Sequence, residues 1–257
     1  GAVNSVAAHP TNPDVLFAGA VNGGIWRTLN ATATAPNWTR LTDSLGSLSI
    51  GSIEFDPTDP QFQTLLAGNA RSSSLGRDGG ALLGLLRSTD NGASWSVLSA
   101  LANREILGVA ARGDILVAAT DGGVYRSTNT GNTFGLLSGE ASSGLPAGTS
   151  MDLAGHAGTP SVLYVAVTSG SGRGIFRSAD TGETWTRVSD ATLDALMNAG
   201  SGTRRTELSV GAAGQVFVAV VGDNGRLAGV FRSADGNAPW VDLGVPQTTE
   251  QNGVLFG

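Results

Sequence analysis

The chain of 257 residues has no cysteine and no lysine. Without Cys there are no disulfides, no thiol catalysis and no cysteine-ligated zinc or iron–sulfur centre. Without Lys, all 15 basic charges are arginines, a compositional bias rather than a mechanism. Charge of either sign is sparse: 14% of residues are charged, the net charge is −6 and the pI about 4.8. Non-specific nucleic-acid binding needs a basic surface, so no nucleic-acid partner is expected. No run of 18 apolar residues occurs, so no membrane insertion is expected either. A leader sequence is not legible, and Gly1 is not an initiator, so the chain reads as processed or incompletely represented. Neither a cofactor nor a metal site is expected.

What is abundant is glycine, with 38 residues, beside 40% hydrophobic residues. That balance favours a β-rich, turn-rich fold. An apolar pair followed by Arg recurs five times: Ile25-Trp26-Arg27, Leu85-Leu86-Arg87, Val124-Tyr125-Arg126, Ile175-Phe176-Arg177 and Val230-Phe231-Arg232. The arginines are 60, 39, 51 and 55 residues apart, so a fixed unit carries loops of variable length. Around each anchor lie four short runs of β-branched and aromatic residues bounded by Gly, Pro and Asn, which are strand signals. The second run of each unit is apolar almost throughout, as a strand buried on both faces requires.

Four antiparallel strands repeating every 40–60 residues predict an all-β fold, a β-propeller of four-stranded blades. Five complete blades are expected over residues 2–45, 46–101, 102–145, 149–190 and 204–245. The segment 252–257 reads as the start of a further blade, so a larger propeller is expected.

Between the third and fourth strands lies a second recurring motif: Ser88-x-Asp90-x-Gly92 closing on Trp95, Ser127-x-Asn129-x-Gly131 closing on Phe134, and Ser178-x-Asp180-x-Gly182 closing on Trp185. Looser versions are Ser233-x-Asp235 closing on Trp240, with Asn237 at the glycine position, and Thr28-Leu29-Asn30 reaching Trp38 three residues late. Ser and Asp side chains hold tight turns by bonding nearby backbone N–H groups, and Gly tolerates a left-handed backbone. Each closing aromatic is expected to fold between strands and clamp its blade. A catalytic carboxylate belongs to one asymmetric constellation, so Asp90 reads as a turn-holder.

Ser-x-Asp-x-Gly-x-Thr-Trp resembles the Asp-box, or BNR repeat, of sialidases, sortilin-type receptor domains, xyloglucanase-type endoglucanases and the photosystem II assembly factor. The resemblance implies the propeller fold and leaves function to be argued from the site. Sialidases use a Tyr nucleophile and three arginines on a carboxylate. The two tyrosines here, Tyr125 and Tyr164, fall inside expected strands, and the family's Arg-Ile-Pro stretch is absent. Residues 3–27 resemble the opening blade of the xyloglucanase-type enzymes. There the general base is an Asp just before a Gly-Gly pair, whereas this chain has Val21 and Asn22 before Gly23-Gly24.

Connectivity puts the Asp-box turns on one edge of the blades with the turns opened by His9, Asp56 and His156, all read as turn-openers. The opposite edge carries the irregular loops and is the expected ligand face. Its candidates are Arg71, Arg77 and Asp78 in loop 68–80, Arg173 in 168–174, Arg204 and Arg205 after a short helix capped by Asp190, and Asp223, Asn224 and Arg226 in 221–229. Arginines grouped there could grip carboxylates or sulfates in bidentate fashion. With no catalytic residue identified, the expected role is a secreted or cell-surface binding or scaffold module for a glycan or protein. The alternatives are a glycoside hydrolase of xyloglucanase or sialidase type and an assembly factor for a membrane complex.

Overall fold

The computed structural model describes residues 2–72, 76, 78–199 and 203–246. They form five four-stranded antiparallel sheets, each built from consecutive strands, so the fold is an all-β propeller with five blades. Blade 1 holds β1 (Val3–Ala8), β2 (Leu16–Ala20), β3 (Gly24–Thr28) and β4 (Trp38–Arg40). Blade 2 holds β5 (Ile50–Phe55), β6 (Leu65–Asn69), β7 (Leu85–Ser88) and β8 (Ser96–Leu98). Blade 3 holds β9 (Ile106–Arg112), β10 (Ile115–Thr120), β11 (Gly123–Ser127) and β12 (Gly135–Leu136). Blade 4 holds β13 (Ser150–Gly155), β14 (Leu163–Val167), β15 (Gly174–Ser178) and β16 (Thr186–Arg187), followed by the helix α1 (Ala191–Met197). Blade 5 holds β17 (Thr203–Val210), β18 (Val216–Gly222), β19 (Leu227–Ser233) and β20 (Val241–Asp242). The chain divides into two compact units: Gly1–Asp121 with Tyr125–Gly135, and Gly122–Val124 with Leu136–Gly257. The expected opening of a further blade at 252–257 lies outside the described residues, as does Arg77.

The second strands sit where their composition puts them. Every residue of β6 and β14 is buried, and all but the first of β10. In the first unit, Phe17, Leu65 and Leu86 pack with Ile50, Ile53 and Phe55 between blades 1 and 2. Leu66 and Leu85 pack with Ile106, Val109 and Leu116 between blades 2 and 3. In the second unit, Tyr164 and Ile175 pack with Val216, Val218 and Phe231, and Leu193 and Met197 of α1 close the same cluster. Each fully buried Leu or Ile contributes about 1.5–3 kcal/mol. Asp190 caps α1 by accepting from Thr192 N–H and Leu193 N–H, which satisfies two otherwise orphaned donors.

One regularity was not legible in the sequence. The register shifts at the start of the first strand of all five blades, opposite the end of the second strand. The skipped residues are Asn4, Gly51, Leu107, Met151 and Arg204. A bulge bends its strand and increases local twist, and here it turns each first strand at the edge where the irregular loops lie.

Side chains also cross the blade seams. Ile53 N–H donates to Ser5 Oγ at 3.0 Å, and Arg27 Nη1 donates to the Asn91 carbonyl at 2.6 Å. Arg112 makes a bidentate pair with Glu54, both contacts 3.2 Å. Burial pushes the Glu54 carboxyl up, against the pull of the Arg112 charge and its hydrogen bonds. In the second unit, Leu208 N–H donates to Asp152 Oδ2 at 2.6 Å.

Candidate functional site

The Asp-box edge is built for turns. Ser88 Oγ donates to Asp90 Oδ1 (2.8 Å) and accepts from Gly92 N–H (2.9 Å). Asp90 Oδ1 accepts from Ser94 N–H (2.8 Å) and Oδ2 from Ser94 Oγ (2.6 Å). Both oxygens are engaged within the loop. The Ser94 hydroxyl, with its backbone N–H, holds the carboxyl below the usual carboxylate range. Ser178, Asp180, Gly182 and Thr184 repeat the arrangement. There burial pushes Asp180 up, and the Thr184 and Ser178 bonds outweigh it. Asn129 does the same work without a charge: its Oδ1 accepts from Ser127 Oγ (2.9 Å) and Thr133 N–H (3.0 Å). In blade 5, Ser233 and Asp235 keep their contact at 3.4 Å, and Gly236 holds the left-handed place of Asn91, Thr130 and Thr181, while Asn237 lacks the left-handed backbone of Gly92, Gly131 and Gly182.

The box glycine has a second duty. Gly92 is left-handed, with φ +79°, and a Cβ there falls 2.6 Å from Phe17 Cε1 of the preceding blade. The turn is therefore pressed onto its neighbour, and a side chain would part the two.

The closing aromatics do not all clamp as the sequence suggests. Trp185 and Trp240 are buried, with Trp240 Nε1 donating to the Val188 carbonyl at 2.7 Å. Trp95 and Phe134 are half-buried, and Trp38 is 40% exposed. The longer connection of blade 1 carries Trp38 into β4, opposite Thr28, whereas the other closing aromatics immediately precede their fourth strands. The histidines open turns: His9 Nδ1 accepts from Thr11 and Asn12 N–H, and His156 Nδ1 from Thr159 N–H. Asp56 accepts from Thr58 N–H and also from Gly113 N–H, both at 2.8 Å.

On the opposite edge, the first unit has a continuous polar rim. Asn22, left-handed at φ 58°, donates through Nδ2 to the Asp78 carbonyl (2.8 Å) and accepts from Ser49 Oγ (2.9 Å). Gly80 N–H donates to Ser49 Oγ (2.6 Å), and Arg71 Nε donates to the Gly80 carbonyl (3.1 Å). Asp78 is thus tied to Asn22 of blade 1 and Gly80 to Ser49, with Arg71 and Asp78 exposed. Trp26, half-buried, donates from Nε1 to the Gly23 carbonyl at 2.7 Å, and the Arg40 guanidinium lies 5.9 Å from its ring. Val21 is buried and donates its N–H to the Ala2 carbonyl. Neither Val21 nor Asn22 offers a carboxylate where the xyloglucanase-type resemblance puts the base.

In the second unit the expected arginines do not converge as grouped. Arg173 offers its carbonyl to Arg187 Nη1 (2.8 Å). Arg204 and Arg205 lie in β17, which begins at Thr203, and not in the loop after α1. Arg205 pairs with Glu207 on the same strand. Asp223, Asn224 and Arg226 form a tight turn in which Asn224 Oδ1 accepts from Arg226 N–H at 2.9 Å. The gathering residue is Arg187, which motif reading had no reason to single out. It donates to the Gly172 carbonyl (2.7 Å), pairs with Asp194 of α1 (2.8 Å) and stacks 5.0 Å from Phe176. It edges an open cleft of about 610 Å³ whose lining includes Glu140, Leu145, Pro146, Gly172 and Phe176.

A second displaced carboxylate is Asp152 of β13. Burial, with the Glu207 charge, pushes it up to about 7, against the backbone bonds from Leu208 and Leu153. It stands at the seam of blades 4 and 5 and was not legible as special, because its acidity depends on β17 lying alongside.

No sequence-family profile matches the chain. Over 120 residues, 45% of the chain, it is 35% identical to a xyloglucanase of Hypocrea jecorina, of which it covers 12%. The GH74 xyloglucanase of Xanthomonas campestris superposes with a TM-score of 0.67 at 19% identity, over 97% of this chain and 39% of that one. The GH74 enzyme of Niastella koreensis gives 0.66 at 19% identity, over 95% and 37%. An auxiliary nutrient binding protein of Bacteroides thetaiotaomicron gives 0.60 at 11% identity, over 99% and 59%. The chain therefore spans well under half the length of these xyloglucanase-type relatives, and at such identities the structural likeness is one of fold. With its recurring turns and five four-stranded blades, the chain is a β-propeller similar in fold to those of GH74 xyloglucanases.

Proposed function

We propose that this propeller is the polysaccharide-binding part of a glycoside hydrolase of xyloglucanase type, acting on a branched β-glucan. The observation that carries the reading is the 35% identity over 120 residues to a xyloglucanase. The polar rim of the first unit supports it: Asn22, Ser49, Arg71 and Asp78 line an edge beside the partly exposed Trp26. Sugar chains are gripped by such fixed polar groups beside an aromatic ring. A polymer too large to enter a cell requires a secreted or cell-surface protein, so the reading carries that location with it.

A second reading is favoured by Val21 and Asn22. Hydrolysis needs two carboxylates across the scissile bond, and blade 1 supplies none at the place where the resemblance expects a base. On this reading the propeller holds the glycan without cutting it. One experiment tests both: the protein is run through gels containing xyloglucan or mixed-linkage β-glucan, and reducing ends are assayed in parallel. Retardation with release of reducing ends supports the hydrolase, and retardation alone supports the binding module. No retardation and no release with either glucan overturns both. The pair Arg71→Ala and Asp78→Ala is expected to weaken retardation about tenfold, the effect of one lost charged hydrogen bond.

A further inference from the structure

Arg187 is held by the protein and still has donors to offer. Its Nη1 donates to the Arg173 carbonyl and to Asp194 Oδ1, both at 2.8 Å, and lies 3.4 Å from Ser189 Oγ. Its Nη2 donates to the Gly172 carbonyl at 2.7 Å. A guanidinium carries five N–H groups. With the described residues, Nε–H and one Nη2–H make no bond. The group stacks on Phe176 and passes where a Cβ of Gly174 would stand. Its place is therefore fixed before anything binds, so little ordering is needed to use it.

The cleft that Arg187 edges has a wall in the connection between β12 and β13, and that wall is fixed too. Gly139 N–H donates to the Leu145 carbonyl at 2.9 Å, and Trp185 N–H to the Ser143 carbonyl at 2.8 Å. Ser143 Oγ donates to the Leu137 carbonyl at 2.6 Å. Gly172, in the connection between β14 and β15, presses on the same wall: a Cβ there falls 2.5 Å from Pro146 Cβ. Both connections belong to the edge of irregular loops. Leu145 and Phe176 are buried and Pro146 half-buried, so much of the lining is apolar. Glu140 is exposed on that lining. Its backbone groups are bonded, but its carboxylate has no partner among the described residues. Free donors and a free acceptor thus share an apolar cleft of about 610 Å³, a size within the about 300–1,000 Å³ of small-molecule sites.

We propose that this cleft binds a neutral saccharide, at residues other than those of the polar rim in the first unit; the inference rests on the reading of the protein as a glucan binder. The chemistry of the lining selects the class. An apolar ligand would cover the Arg187 N–H groups and the Glu140 carboxylate without bonding either. A uronate or a sulfated sugar would meet a guanidinium already paired with Asp194 and the uncompensated charge of Glu140. A cationic ligand would suit Glu140 and leave the Arg187 N–H groups facing a like charge. A pyranose serves both: one hydroxyl accepts from Arg187, another donates to Glu140, and the ring C–H groups lie on Leu145 and Pro146. The lining holds one carboxylate, and glycoside hydrolysis needs two, so the cleft holds its sugar without cutting it.

The absence of cysteine provides the test. Ala141 is exposed in the lining, and Ala141→Cys puts a thiol there. Val241→Cys, exposed on β20, is the control. Maleimide labelling is timed with and without a xyloglucan oligosaccharide. Labelling of Ala141→Cys is expected to slow about tenfold at ten times the Kd, and that of Val241→Cys to stay the same. Adding Glu140→Ala should move the midpoint of protection to about tenfold higher ligand. Adding Arg71→Ala and Asp78→Ala should leave it in place. The same proteins are run through gels containing xyloglucan. Retardation without protection of Ala141→Cys overturns the cleft and leaves the glucan-binding reading standing. Neither retardation nor protection overturns both. Protection by trigalacturonate and not by the neutral oligosaccharide overturns the assignment to a neutral sugar.

Discussion

Arg27 Nη1 donates to the carbonyl oxygen of Asn91 across the seam between blades 1 and 2, at 2.6 Å. Arg27 belongs to the apolar–Arg anchor of one blade, and Asn91 to the Asp-box turn of the next. Between blades 1 and 2 the two repeated motifs are therefore partners. A charged donor on a carbonyl contributes about 1.5–3 kcal/mol. Arg27→Ala is expected to lower unfolding stability by about that amount in denaturant titrations. A loss below about 0.5 kcal/mol would mean that the bond is dispensable.

Asp90 and Asn129 occupy equivalent turns and accept equivalent bonds through Oδ1. The turn therefore needs an acceptor, not a charge. Asp90→Asn is expected to stay within about 0.5 kcal/mol of the parent, while Asp90→Ala costs about 1–2 kcal/mol. Glucan retardation in gels should be unchanged by either. A large loss of binding in Asp90→Asn, with stability intact, would instead make Asp90 a ligand group.

Trp185 is 4% exposed and Trp38 is 40% exposed at related positions of blades 4 and 1. Trp185→Ala leaves a large cavity and should cost about 3–5 kcal/mol. Trp38→Ala should cost about 1 kcal/mol or less, since it opens no enclosed space. Thermal melts of the two variants compare them directly, and equal costs would contradict the unequal burial.

Asp152 is pushed up to about 7 by burial and by Glu207. The folded protein therefore holds a proton between its ordinary carboxylate value, near 3.8, and about 7, where the unfolded chain does not. Fewer protons bound on unfolding means that this group's contribution to stability is full below about pH 4 and declines as pH rises toward 7. The melting temperature of the parent should show that decline relative to Asp152→Asn, whose profile should be flatter over the window whatever its absolute stability. Parallel profiles would place the titration elsewhere.

The sequence by itself determined the repeat. The apolar–Arg anchors, the Ser-x-Asp-x-Gly boxes and the apolar second strands are local patterns, and local pattern is enough to specify four short strands and the turns between them. It also determined what each box does, because Ser88, Asp90 and Gly92 bond within a few residues of one another. Only the tertiary structure decided which blade touches which group. Arg187 gathers Gly172 from a loop, Asp194 from α1 and Phe176 from β15, and Arg204 and Arg205 fall in a strand because β17 extends to meet β18. Asp152 becomes a poor acid because β17 lies alongside it. Burial, charge coupling and seam contacts depend on distances between residues far apart in the chain, and those distances exist only once the blades are packed.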